Sequence, residues 1–191
     1  MTISEGQVLL GNCITEPLGY WTRPTAILDI DLQNIHGHIF SVDATSCTSE
    51  GEMRNALLFP SEFREGPPAS VGNIDGNFFT EFVDCLLTKG LENTLGLEVI
   101  QAQAGKMIEF SFDIGSLLLI QEEVRAEVRE EMRRQAMLRD TGWAVTVHDG
   151  AVDQTGETRC VTFKSGHVKI TNAKGVSDVV KILKDDGMLA M

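Results

Sequence analysis

Lys106-Met-Ile-Glu-Phe-Ser-Phe-Asp113 and, two residues on, Ser116-Leu-Leu-Leu-Ile120 decide the fold class. Ile108, Phe110 and Phe112 alternate with Glu109, Ser111 and Asp113, the period of a strand with one buried and one solvated face. Ser116 to Ile120 is a short apolar run of strand length. Upstream, Leu97-Glu-Val-Ile-Gln-Ala-Gln103 alternates as well, and Ala104-Gly105 between the two runs predicts a hairpin. That turn pairs Val99 with Phe110 and leaves Leu97, Val99, Ile108, Phe110 and Phe112 on one face, so the register is self-consistent.

Downstream the chain reads as a meander. Trp143-Ala-Val-Thr-Val-His148 runs into Asp149-Gly150, a strong hairpin signal, and returns along 151–155. Thr158 to Phe163 and His167 to Thr171 predict a further hairpin around Ser165-Gly166, pairing Phe163 with Val168 and Val161 with Ile170.

Three segments carry the helical period. Asn77 to Lys89 places Phe79, Phe82, Val83, Leu86 and Leu87 on one stripe and stops at Gly90; it is expected to be the central buried helix. Residues 121–139 open on Glu122 and Glu123 and close on Arg133, Arg134 and Arg139, in keeping with the helix dipole, and Glu130 and Arg134 form an i,i+4 pair. The thin stripe of this helix (Val124, Val128, Met132, Ala136) suits a surface position or a partner. Val176 to Asp186 is amphipathic on Val176, Val179, Val180 and Leu183 and stops at Gly187. Together these elements predict an α+β fold over residues 1–191 as a single domain. An antiparallel, curved or barrel-like sheet of about nine strands would wrap the Phe-rich helix, with two further helices.

The first hairpin holds the sharpest chemical signal. Ala26-Ile-Leu-Asp-Ile-Asp-Leu32 and Ile35-His-Gly-His-Ile-Phe-Ser-Val-Asp43 flank Gln33-Asn34. A turn there sets Asp31 opposite His36 and Asp29 opposite His38, all on one face, because the strand period is two. A carboxylate beside an imidazole orients the ring and raises its pKa, as acid–base chemistry requires. Asp29, Asp31, His36 and His38 are therefore the candidate catalytic residues. Two histidines at i,i+2 with acids opposite could also hold a divalent metal, with Cys47 nearby in sequence, and a solvated ion-pair ladder is the bland alternative. Residues 64–76, rich in Gly and Pro, read as a long loop and a candidate lid.

Charge narrows the partners. Lys and Arg number 16 against 28 Asp and Glu, a formal net charge of -12. The first 105 residues hold only Arg23, Arg54, Arg64 and Lys89 as cations. Such a surface repels phosphate backbones and anionic bilayers, so neither nucleic acid nor membrane is expected. The four cysteines (Cys13, Cys47, Cys85, Cys160) form no C-x-x-C pair, and no basic, apolar leader opens the chain, so free thiols in a cytoplasmic setting are expected. Phosphate-loop, dinucleotide, serine-hydrolase and zinc-protease motifs are absent, so no cofactor is expected. A small hydrophobic or organic ligand follows, either simply bound or turned over by cofactor-independent acid–base chemistry such as isomerisation, dehydration or cyclisation. The alternatives are a homodimer or interaction module built on helix 121–139, the Arg125, Arg129 and Arg133 row as an anion site, and a metal-binding barrel. Trp21 with Tyr20 could floor a pocket.

Overall fold

The computed structural model describes residues 3–15, 18–42, 58–67, 76–99, 105–148, 151–164 and 166–190. In chain order the strands are β1 (Gln7–Ile14), β2 (Gly19–Ala26), β3 (Ile35–Val42), β4 (Leu58–Glu65), β5 (Leu97–Glu98), β6 (Met107–Phe112), β7 (Gly115–Ile120), β8 (Leu138–His148), β9 (Ala151–Val161) and β10 (Val168–Lys169). The helices are α1 (Gly76–Lys89), α2 (Ala126–Arg134) and α3 (Val176–Asp185). The α+β class expected from the sequence is the one found. The chain forms two compact units, one of residues 1–25 with 102–191 and one of residues 26–101.

In the first unit the strand order is β1-β2-β7-β6-β9-β8, with β10 also on β6. The β6–β7 hairpin is its centre, pairing Phe110 with Leu117 and Ile108 with Leu119. All four are completely or almost completely buried, as the alternation at 108–112 predicts. The sheet is mixed and not purely antiparallel. β9 runs parallel to β6 at Met107–Glu109. β10 takes up the same edge at Ser111 and Phe112, again in parallel. The expected Val161–Ile170 hairpin is thus replaced by two parallel pairings on β6. Among the described residues, Phe163 and Gly166 alone bridge at the turn. The β8–β9 hairpin has the predicted register, Val147 opposite Val152, and is longer than expected, reaching Leu138 and Val161.

Helices α2 and α3 close the core of this unit. Val124, Met132, Val179 and Leu183 join Trp21, Phe110, Phe112, Leu117, Leu119 and Val161 in one cluster. The expected helix over 121–139 is shorter. Residues 121–123 form a 3-10 turn, α2 ends at Arg134, and β8 has begun by Leu138. Ala136 sits at φ 54, with Ala136 N–H donating to Arg133 O at 3.0 Å and Met137 N–H to Met132 O at 2.8 Å. This is a Schellman stop with alanine where glycine is usual. Arg133 pairs with Glu130 and Arg134 with Glu131, at i,i+3 and not at the expected Glu130–Arg134 spacing.

The second unit orders its strands β5-β3-β4, both pairings antiparallel. β3 is bulged between Gly37 and Phe40. Helix α1 packs Val83 and Leu86 on Val42, with Leu58, Phe82, Leu87 and Leu91 at the margin. Phe78 and Phe79 stay 41% and 37% exposed, so α1 contributes two deeply buried apolar residues and is not the central buried helix expected. Among the described residues β5 pairs with β3, Glu98 opposite Ile39, and not with β6. Residues 100–104 and 68–75 fall outside the described residues, so the expected Ala104-Gly105 turn and most of the 64–76 lid do as well; Arg64 and Glu65 belong to β4. Among the described residues no helix is long and apolar enough to cross a membrane.

Candidate functional site

Two of the four candidate residues meet chemistry; the other two do not. Residues 26–32 form no strand after the end of β2. They make 3-10 turns at 27–29 and 32–34, and Asp31 Oδ1 accepts from Gln33 N–H at 3.1 Å. Asp29 and Asp31 are exposed, and Leu28 is 98% exposed. The physical reason is local. Asp31 offers the backbone a side-chain acceptor two residues on, which stabilises a turn against extension. The partner of β3 is therefore β4, further downstream, and His36 lies opposite Arg64 instead of Asp31.

β3 carries both imidazoles between its two neighbours. His38 is buried, and its Nε2 lies 3.1 Å from Oε1 of Glu98 on β5. Its backbone carbonyl accepts from Val99 N–H at 2.9 Å, which fixes β5 in place. On the other side, β4 presents Glu62 and Arg64, both buried, with Nε to Oε1 at 3.8 Å. His36 Nδ1 lies 3.1 Å from the carbonyl of Gly66, just past the end of β4. A carbonyl can only accept, so Nδ1 carries the proton, and in the neutral ring Nε2 is a lone pair. That Nε2 is buried and has no hydrogen-bond partner among the described residues.

Charge follows from this geometry. Burial is the largest influence on His38 and lowers its pKa; the Glu98 bond pulls the other way, and Arg64 and His36 push it down further. For Glu98, burial pushes upward, but the His38 bond and the charges of His38 and Arg64 prevail, leaving the carboxyl below its ordinary value. At neutral pH the pair is thus a neutral imidazole donating Nε2–H to a carboxylate, which leaves the lone pair of the ring on Nδ1. Glu62, Arg64 and Glu98 went unread in the sequence. The i,i+2 spacing of Glu62 and Arg64 was visible, but nothing local says which strand faces β3.

No family model, curated protein or solved structure matches this chain. Its chemistry is read from these residues alone.

The remaining candidates are taken up by the fold. Val124 and Met132 are buried inside the first unit and Val128 packs against the same core, so the stripe expected to meet a partner is spent within the chain. Arg129 donates to Gln121 O at 2.9 Å, Arg125 to Gly187 O at 3.4 Å, and Arg133 pairs with Glu130, so the Arg row is engaged. Among the described residues no three His, Cys, Asp or Glu side chains gather as a metal site; Asp43 and Cys47 lie outside them. Cys160 Sγ sits 3.6 Å from His167 Nδ1, but burial, then the charge of Glu109, raises the thiol pKa, so it packs as a neutral thiol.

Proposed function

We propose that this protein acts on a small organic metabolite by cofactor-independent proton transfer, with His36 and His38 of the second unit as the proton-handling groups. One observation carries the reading. His38, Glu62 and Arg64 are buried beside Glu98 in a unit whose buried apolar cluster is Val42, Val83 and Leu86. Burying charges costs several kcal/mol per ion before pairing, so about three apolar side chains leave little margin for ornament. Ionisable groups perturbed in this way mark functional sites more often than chance.

The roles follow from the hydrogen bonds. Neutral His38 presents a basic Nδ1 while Glu98 stabilises the imidazolium formed when it takes a proton. His36, its Nδ1–H held by the Gly66 carbonyl, offers Nε2 as a second base. The Arg64 cation stabilises negative charge as it develops on a substrate oxygen. A proton leaves a carbon acid for one imidazole and returns to a neighbouring atom of the same substrate, which is an isomerisation. Asp29 and Asp31 have no role in this scheme.

The test is solvent exchange. Oxo acids and hydroxy ketones are incubated with the protein in D2O, and loss of their C–H signals is followed by NMR. H36Q and H38Q should each slow exchange about 100-fold or more, the usual worth of a positioned acid or base. D29N and D31N should exchange at the parent rate. No exchange across the panel, or exchange indifferent to both histidine changes, rejects the reading.

A further inference from the structure

We infer that a separate cleft in the first unit binds a small organic anion with a flat apolar body, a carboxylate or a phosphate monoester. The cleft has a volume of about 550 Å³, in the range that takes metabolites. Asn12, Cys13 and Ile14 of β1 and Trp21 and Arg23 of β2 form one side; residues 174–178, which lead into α3, form the other.

Two features point to the ligand. The first is charge against its background. The chain carries -12 overall, and Arg23 is one of only four cations in its first 105 residues. Yet Arg23 and Lys174 both line this cleft, against one carboxylate, Asp178. That carboxylate is already committed, accepting from Lys174 N–H at 2.8 Å. Neither Arg23 nor Lys174 has an ion-pair partner among the described residues. A local excess of positive charge focused in a concavity recruits an anion even on an acidic protein. Asp178 lies in the first turn of α3, so the two cationic side chains and not the helix terminus supply the attraction.

The second feature is the wall. Trp21 is 5% exposed and packed in the core, where a Cβ on Gly115 would lie 2.7 Å from its ring, so a small part of the indole reaches the cleft. Its cleft-facing part joins Ile14 and Val176 in a fixed apolar surface. Apolar surface already packed in place binds an apolar ligand body at small entropic cost. The site shares no residue with His36, His38 or their partners, so it stands whether or not proton transfer does.

The experiment uses the full chain carrying W143F, which leaves Trp21 as the single tryptophan. Fluorescence is titrated with phenyl phosphate, benzoate, benzyl alcohol and inorganic phosphate. Alkylation of Cys13, an exposed thiol in the cleft, is followed by mass spectrometry as a second readout. Phenyl phosphate or benzoate should alter Trp21 emission and slow Cys13 alkylation. R23A with K174A should weaken that binding about tenfold or more, the worth of one charge-assisted hydrogen bond, and R23K should restore part of it. Benzyl alcohol binding as tightly as benzoate overturns the anion; inorganic phosphate binding as tightly as phenyl phosphate overturns the flat body. No response in either readout to any of the four overturns the site.

Discussion

The Nε2 of His38 lies 3.1 Å from the Oε1 of Glu98, 60 residues further along the chain, and this contact joins β3 to β5 on the side away from β4, which carries the buried Glu62 and Arg64. Its strength depends on pH in a definite sense. Both groups have folded pKa values below their ordinary 6.5 and 4.5. The folded state therefore binds fewer protons, and stability rises with pH. The contribution of His38 is complete above pH 6.5 and is lost as pH falls from there through its folded value; that of Glu98 goes below 4.5 in the same way. Urea midpoints should decline from about pH 6.5 downward, and H38Q should flatten the upper part of that decline. Equal slopes for parent and H38Q between pH 7.5 and 5 would remove His38 as the cause.

Leu183 of α3 is completely buried, whereas Phe79 of α1 is 37% exposed and meets Phe78 edge-on at 5.5 Å. Leu183→Ala should cost about 2–5 kcal/mol, the range for a buried leucine. Phe79→Ala should cost only about 1 kcal/mol, mostly the aromatic contact. Denaturant melts of the two variants rank the helices, and the reverse order would mean that α1 is the true centre.

Met132 is buried in the core formed with α3, so M132E places a charge where nothing pairs it. The variant should unfold or lose several kcal/mol, as unpaired buried charges do. A folded, fully stable M132E monomer on light scattering and circular dichroism would instead put Met132 at an interface.

Ala136 holds φ 54 to end α2. An L-residue there carries about 1–2 kcal/mol of steric strain that glycine lacks, partly offset by glycine's freer unfolded chain. A136G should therefore raise stability by about 0.5–1 kcal/mol, and A136V should lower it. A lower melting temperature for A136G would show that the left-handed turn is not the stop.

Gly115 opens β7 beneath Trp21. A Cβ there would fall 2.6 Å from the Thr22 carbonyl oxygen and 2.7 Å from the Trp21 ring. G115A should cost about 1–3 kcal/mol through overpacking and shift the Trp21 emission. An unperturbed spectrum and melt would mean the ring has room to move.

What the sequence by itself determined was whatever depends on neighbours along the chain. The alternation at 108–112 defined β6 and its buried face. Asp149-Gly150 set the β8–β9 register. Gly90 and Gly187, at φ 64 and 69, marked the ends of α1 and α3. Only the tertiary structure decided what needs partners distant in sequence. Ala136 ends α2 by the same hydrogen bonds as Gly187 ends α3, but alanine gives no warning, because its own preference runs against a left-handed turn and the packing of Met137 on the core outweighs it. Likewise His36 and His38 were legible as a pair on one strand face, whereas Arg64 and Glu98 were not legible as their companions. Side-chain alternation tells which way a strand faces and is silent on which strand lies beside it. That choice is made by the summed packing of both strands, and here it replaced Asp29 and Asp31, held in turns of their own, with a buried arginine and a carboxylate from another part of the chain.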